Sequence, residues 1–135
     1  RLDTFQAAIL LAKLPYYSQE LLGRNNVAKK YTDALFNEIK TPLIKKNRTS
    51  AWAQYTLRVS DRDAFQTKLK NNSIPTAVYY PMPLHLQECF KYLNYNMGSF
   101  PISEKASSEV MSIPMNSFLT NEQVDYVVSV IKDNI

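Results

Sequence analysis

The sequence predicts an α+β domain in which a small antiparallel sheet is covered by helices. Residues 51–59 alternate between two faces, one of them apolar, which is typical of a half-buried strand. Residues 2–14 and 121–134 instead repeat apolar side chains every three or four positions, which indicates amphipathic helices. A length of 135 residues suits one domain, and no internal repeat or low-complexity linker divides it.

The first part of the chain predicts two helices. Helix 2–14 is stopped or kinked by Pro15. A second helix, from about residue 17 or 25 to 39, is indicated by apolar residues four positions apart: Val27, Tyr31, Leu35 and Ile39. The dipeptide Thr41-Pro42 ends this pattern, because the residue before a proline disfavours helical backbone.

The middle of the chain predicts a short helix and a second strand. Ser60 resembles a helix N-cap, and the helix that follows ends near Asn72. Residues 75–80 are rich in β-branched and aromatic residues, so we expect a strand there. If that strand continues through Tyr79 and Tyr80, their side chains point to opposite faces, and one of them is buried.

The last part predicts short helices over residues 86–93 and 104–110, the second capped by Ser103. Cys89, in the first of them, is expected to be a small buried apolar residue. Residues 110–115 predict a third strand. Thr120 and Gln123 form a capping box at the start of the final helix, 121–134.

The composition excludes several kinds of site. With two glycines there is no glycine-rich phosphate loop. The lone Cys89 excludes an internal disulfide framework and a multi-cysteine zinc site, and no second histidine accompanies His85, so no metal site is predicted. No apolar run approaches the roughly 20 residues that span a bilayer, so no membrane segment is expected.

The net charge of +4 comes from short basic clusters that we interpret as solvated surface. An attraction for an anionic ligand such as a nucleotide diphosphate is the alternative. Nucleic acid is not expected, because the aromatic residues are not interleaved with the basic ones. No secretory signal is present, so a reducing cytoplasm is the expected compartment. The chain begins at Arg1 within a helical pattern, and we expect it to be a fragment of a longer chain.

The stretch YYPMPLH, residues 79–85, differs from ordinary packing sequence. It places two tyrosines, two prolines and the only histidine of the chain within seven residues. Prolines stiffen the backbone, while tyrosine hydroxyls and an imidazole provide polar and titratable groups. The stretch therefore predicts a rigid loop that holds polar groups in place. A histidine that only hydrogen-bonds the loop is the alternative interpretation of His85.

Six stretches of the chain are distinctive in sequence. In order they are RLDTFQAAILLAKL (1–14), RNNVAKKYTDAL (24–35), SAWAQYTLRVSDRDAF (50–65), IPTAVYYPMPLHLQ (74–87), FPISEKASSEVMSIPM (100–115) and LTNEQVDYVVSVI (119–131). Together they resemble the C-terminal portion of the DegT/StrS family of pyridoxal-phosphate sugar-nucleotide aminotransferases. The resemblance implies a fold type I aminotransferase. Residues 1–40 would then be helices that lead from a missing large cofactor-binding domain, and residues 41–135 would be the small C-terminal domain.

The resemblance also implies an activity. The intact protein would transfer an amino group, with glutamate as the expected donor, to a nucleotide-linked keto sugar in cell-surface polysaccharide or glycan biosynthesis. It would act as a homodimer with pyridoxal phosphate, whose lysine would lie upstream of Arg1. The present chain therefore holds no catalytic residue and is not expected to be active alone. Some relatives replace the lysine with histidine and dehydrate sugars, and the chain leaves that alternative open.

Four residues match substrate-binding positions of the family. Tyr80 and His85 lie in the loop that closes over the nucleotide sugar, and Arg1 matches an arginine that reaches the neighbouring subunit's site. Tyr79 occupies a position that is often histidine, which is a departure from the family pattern. A different class of function stays open beside this one: a stand-alone α+β binding or dimerisation module without catalysis.

Overall fold

The computed structural model describes residues 2–135 and confirms the α+β class. Within that range it contains five α-helices and two strands. They are α1 (Thr4–Lys13), α2 (Tyr17–Leu35), β1 (Tyr55–Arg58), α3 (Arg62–Asn71), α4 (Pro101–Glu109), β2 (Val110–Ile113) and α5 (Asn121–Asn134). Short 3-10 turns occupy Leu14–Tyr16, Leu84–Leu86 and Glu88–Leu93. Within residues 2–135, no helix has the length and apolar character that crossing a membrane requires.

The sheet is an antiparallel pair. β1 pairs with β2 so that Tyr55 lies opposite Ile113 and Leu57 opposite Met111. Leu57 and Met111 are both fully buried, so this face of the sheet lies against the core. β1 is shorter than the expected 51–59, because Trp52 has a left-handed backbone (φ 49°) that interrupts the extended chain before Tyr55.

One hydrophobic cluster joins the sheet to three helices of the chain. The largest fully buried side chains come from α2, β1, α3, β2 and α5: Tyr31, Leu35, Tyr55, Leu57, Leu69, Met111, Val124 and Ile131. The Tyr31 hydroxyl donates to the Pro114 carbonyl at 3.0 Å. Burial raises the pKa of Tyr31 to about 12, so its hydroxyl stays neutral at neutral pH and keeps its hydrogen for this bond.

The expected strand at 75–80 does not form. Ala77 alone pairs with Ser112, through N–H···O bonds of 3.0 and 2.7 Å. Pro75, at the next hydrogen-bonding position before Ala77, has no N–H group to continue the ladder on that side. Pairing with β2 is confined to Ala77, and the chain then leaves the sheet.

Local signals were accurate at one helix start and wrong elsewhere. The N-cap of α3 is Asp61 and not the expected Ser60. Thr120 and Gln123 form both hydrogen bonds of the capping box at the start of α5, as predicted. α4 begins at Pro101 and not at Ser103, because proline suits the first position of a helix, where no N–H partner is needed. Residues 86–93 form 3-10 turns and not the expected α-helix.

Candidate functional site

The segment between the sheet and α4, residues 78–100, is here named the tyrosine loop. It begins after Ala77, which is bonded to β2, and ends where Pro101 opens α4. Two prolines and two 3-10 turns shape its backbone. It carries three of the four residues that the sequence proposes as substrate contacts: Tyr79, Tyr80 and His85. The fourth, Arg1, lies outside the described residues.

Tyr79 and Tyr80 are both at the surface. They are 51% and 70% exposed, and their ring centroids lie 6.0 Å apart in an edge-to-face arrangement. The expectation that one of them is buried was wrong, because the chain has left the strand before it reaches them and strand alternation no longer applies. Both phenol rings are therefore accessible to a ligand or a partner.

Two grooves meet at Tyr79. One, of about 210 Å³, runs between the tyrosine loop and α4, with Tyr80, Leu84, Ser103 and Ser107 among its walls. The other, of about 340 Å³, lies beside the end of β2 and includes Gln54, Thr76, Ser112 and Pro114. Each groove combines apolar surface with hydroxyl or amide groups, which suits a ligand with a ring and several hydroxyls.

His85 is buried, unlike the two tyrosines. Its side chain is 7% exposed, and its ring contacts Phe100 at a centroid distance of 4.8 Å. Its Nε2 lies 2.9 Å from Oε1 of Glu104. An ionised carboxylate only accepts hydrogen bonds, so Nε2 carries the hydrogen and donates it. His85 thus supports the loop from inside, and only its Nδ1 remains for a further partner.

Glu104 was missed by the sequence analysis. Its carboxylate accepts the Gly98 N–H at 2.9 and 3.0 Å, the Phe100 N–H at 3.1 Å, and the His85 bond. The Gly98 N–H contributes most to lowering the pKa of Glu104, and the Phe100 N–H and His85 lower it further. The available signal was Pro101: a proline at the first helical position places Glu104 in the first turn, facing the chain that enters the helix.

The lowered pKa of Glu104 predicts a pH dependence of stability. A carboxyl group whose pKa is lower in the folded than in the unfolded chain stabilises the fold above its unfolded pKa. That contribution to stability is lost as the pH falls through the pKa of the group in the folded chain. We therefore expect wild type to melt at a higher temperature than Glu104→Gln near neutral pH, and the difference to shrink below about pH 4.5, the ordinary value. Calorimetric melting of both proteins from pH 7 to pH 3 measures this. A difference that stays constant with pH would contradict it.

Two further observations concern Cys89 and the residue types that bind metals. Cys89 is exposed, so the expectation that it is a buried apolar residue was wrong: the 3-10 turn that carries it lies away from the core. Within residues 2–135, no group of three or more histidine, cysteine, aspartate or glutamate residues is placed to hold a metal ion.

A sequence model of the DegT/DnrJ/EryC1/StrS aminotransferase family matches residues 1–132. The chain belongs to this family. A "Pleiotropic regulatory protein" of Geobacillus stearothermophilus is 42% identical over 98% of the chain and 37% of its own length. The UDP-2-acetamido-2-deoxy-3-oxo-D-glucuronate aminotransferase of Pseudomonas aeruginosa is 40% identical over 94% of the chain and 35% of its own length.

Solved structures agree with the family assignment. A DegT/DnrJ/EryC1/StrS aminotransferase from Brucella abortus superimposes with a TM-score of 0.91 at 38% identity. The superposition covers 98% of this chain and 36% of that one. The chain thus spans little more than a third of the length of the family members it matches.

The family's cofactor cannot be held covalently by this chain as it stands. A lysine that forms a Schiff base needs a desolvated site that lowers its pKa. All eleven lysines of the chain are exposed. The residues present therefore do not fit the covalent cofactor site of a DegT/DnrJ/EryC1/StrS aminotransferase.

Proposed function

We propose that this chain is the C-terminal part of a pyridoxal-phosphate-dependent sugar-nucleotide aminotransferase. The intact protein transfers an amino group from a donor such as glutamate to a nucleotide-linked keto sugar, in the cytoplasm, for cell-surface polysaccharide or glycan biosynthesis. The observation that carries the proposal is the family match over residues 1–132, together with 40% identity to a UDP-linked 3-oxo-sugar aminotransferase. The cofactor supplies the electron sink for the transfer.

In this proposal the chain has two parts. Residues 1–40 lead from the large cofactor-binding domain, and residues 41–135 are the small domain. The second half of α2 also belongs to the core of the small domain, since Tyr31 and Leu35 are fully buried there. α1 places no buried side chain against that core, which supports a role for α1 on the large-domain side.

The small domain shapes the sugar-nucleotide pocket. The exposed phenol rings of Tyr79 and Tyr80 form its wall, and the buried His85 fixes the same loop through Glu104 and Phe100. Arg1 would reach the site of the neighbouring subunit in a homodimer, where a guanidinium suits a carboxylate or a phosphate. A tyrosine at position 79 offers a hydroxyl in place of a ring nitrogen, so it can donate to or accept from a sugar but cannot act as an imidazole does.

The test is made with the full-length protein, loaded with pyridoxal phosphate and supplied with glutamate. UDP- and dTDP-linked 3-keto sugars are offered separately, and the amino sugar is detected by mass spectrometry. Formation of an amino sugar supports the proposal. Release of water from the sugar without nitrogen transfer would assign the protein to the dehydratases instead.

Replacing Tyr80 by Phe should weaken use of the sugar and leave the reaction with glutamate unchanged. The change removes one hydroxyl and keeps the ring. A lost hydrogen bond to a neutral group costs about 0.5–1.5 kcal/mol, which corresponds to a roughly 2- to 13-fold lower kcat/KM for the keto sugar. Tyr80 is exposed, so the melting temperature should stay within about 1 °C of wild type. Both reactions are measured separately by stopped-flow absorbance.

His85→Asn provides the comparison. Because this side chain is buried against Phe100 and bonded to Glu104, the variant should lower both the melting temperature and kcat/KM for the sugar. Unaltered sugar kinetics in both variants would mean that the tyrosine loop is scaffold and that the site is assigned wrongly.

The 135-residue chain alone should form no stoichiometric adduct with pyridoxal phosphate. Its lysines are all solvated, so each should react only weakly and reversibly. Titration with the cofactor, followed by borohydride reduction and peptide mapping, should find low labelling spread over several lysines. A single lysine labelled to completion would place a cofactor site within this chain.

A further inference from the structure

The hydrogen bonds between the tyrosine loop and the rest of the molecule converge on one residue. Within residues 2–135, every hydrogen bond between residues 78–100 and the remaining chain ends on Glu104. Three groups donate to its carboxylate, and its own backbone N–H donates to the Phe100 carbonyl at 3.0 Å. The polar attachment of this loop to α4 thus depends on the side chain and the backbone of Glu104.

The bonds reach both arms of the loop. His85 lies on the outgoing arm, and Gly98 and Phe100 lie on the returning arm. Oε1 of Glu104 is within 3.1 Å of a donor from each of these three residues. Charge-assisted hydrogen bonds of this kind are roughly twice as strong as neutral ones. The carboxylate therefore links the two arms of the loop to each other and also links both arms to α4.

The outgoing arm is stiff between this anchor and the exposed tyrosines. Pro81 and Pro83 stand between Tyr80 and His85, and each proline fixes one backbone torsion. On the returning arm, Tyr95 packs on Phe100 with ring centroids 4.9 Å apart. Phe100 in turn contacts the His85 ring of the outgoing arm, so an aromatic contact joins the two arms. Pro81 and Pro83 therefore limit how far the backbone can bend between His85 and the exposed tyrosines.

We propose that Glu104 is the positioning residue of the sugar-nucleotide pocket: it anchors the tyrosine loop and thereby sets the affinity for the nucleotide-linked sugar. This inference rests on the proposed function. Glu104 itself touches no substrate. It acts through His85, Gly98 and Phe100, which hold the wall formed by Tyr79 and Tyr80 against α4.

The experiment compares Glu104→Gln and Glu104→Ala with a matched control in the full-length protein. Glu109→Gln is the control, since Glu109 lies on the same helix and is similarly shielded, with 17% of its side chain exposed against 13% for Glu104. It pairs with Arg58 at 2.6 Å and makes no hydrogen bond to residues 78–100. Both variants therefore lose a charge and a side-chain partner, and only the Glu104 variants lose the hydrogen bonds to the loop.

Steady-state kinetics is the first readout. For Glu104→Ala the KM for the keto sugar should rise roughly tenfold or more, and for Glu104→Gln it should rise less, because an amide oxygen can still accept at the Oε1 position. The rate of the reaction with glutamate alone should stay within about twofold of wild type. Glu109→Gln should leave the KM for the sugar within about twofold.

Hydrogen exchange read by mass spectrometry is the second readout and needs no activity. Peptides from residues 78–100 should gain much more exchange in both Glu104 variants than peptides from α5 do. In Glu109→Gln the loop peptides should gain no more exchange than the α5 peptides. An equal increase in loop and α5 peptides of the Glu104 variants would indicate general destabilisation and would overturn the inference.

The two proposals can fail separately. If wild type aminates the keto sugar and the Glu104 variants keep its KM, the positioning role is overturned and the function stands. If wild type aminates no keto sugar nucleotide, the proposed function fails, and with it the sugar pocket that Glu104 is said to position. In that case equal loop exchange in variant and wild type would also remove the anchoring role.

Discussion

Replacing Phe5, Leu11 and Leu14 by Gln should convert the 135-residue chain from a self-associating species into a monomer. These side chains are 76%, 70% and 65% exposed, and α1 has no buried side chain. Large exposed apolar side chains on this scale are typical of an interface, which we propose for this helix in the complete protein. Each such side chain gains about 1.5–3 kcal/mol on burial. Three such side chains together represent roughly 4.5–9 kcal/mol of burial free energy. Loss of only a third of this free energy would lower the association constant by more than about tenfold.

Sedimentation velocity at several concentrations measures this effect. Gln is a good helix former, so α1 should be retained, which circular dichroism checks. The control replaces three equally exposed apolar residues on other elements by Gln: Leu43, Tyr92 and Ile102. That variant should associate as wild type does. A wild-type chain that sediments as a monomer at high concentration, with no dye bound to apolar surface, would contradict the interpretation of α1 as an interface helix.

Leu57→Ala should cause the largest loss of stability among single changes in the sheet. Leu57 is fully buried in β1, opposite the equally buried Met111 of β2. Truncating a buried leucine removes its transfer free energy and leaves a cavity, at a cost of about 2–5 kcal/mol. Domains of this size are stable by about 5–15 kcal/mol, so a large share of the folding free energy would disappear.

Urea unfolding is the measurement, made in the Gln-substituted background so that association does not contribute. Leu43→Ala is the control, because Leu43 is 85% exposed and should change the free energy of unfolding by no more than about 0.5 kcal/mol. Similar losses in both variants would mean that the sheet does not lie at the centre of the core.

The elements predicted accurately are those whose signals are local. α5 begins with a capping box and continues with an apolar stripe, and both features act within one helix. α2 likewise buries Val27, Tyr31 and Leu35 at the spacing that its sequence shows. Neighbouring residues are enough to specify such helices, because each backbone hydrogen bond joins residues only four positions apart. The apolar stripe of the helix can then pack against any apolar surface that the fold provides.

The elements predicted wrongly depend on residues far apart in the sequence. Residues 75–80 have strand-like composition, but only Ala77 finds a partner, Ser112, across the fold. Composition gives the β-strand propensity of a segment, whereas its pairing depends on the position of β2 in the fold. The exposure of both Tyr79 and Tyr80 follows from the same cause, since side-chain alternation ends where the strand ends.

By itself the sequence determined the α+β class, the main helices and the family, and it distinguished the stretch around Tyr79, Tyr80 and His85 as a candidate site. Periodicity, capping residues and sequence motifs carry this information, and all of them can be read without knowing the tertiary structure. Only the tertiary structure decided that His85 lies beneath the surface and that Glu104 holds the loop. His85 and Glu104 are nineteen positions apart, and their bond exists because folding brings a carboxylate to three donors. A carboxylate that is largely shielded from water needs such partners, and which donors it finds depends on the path of the chain through space.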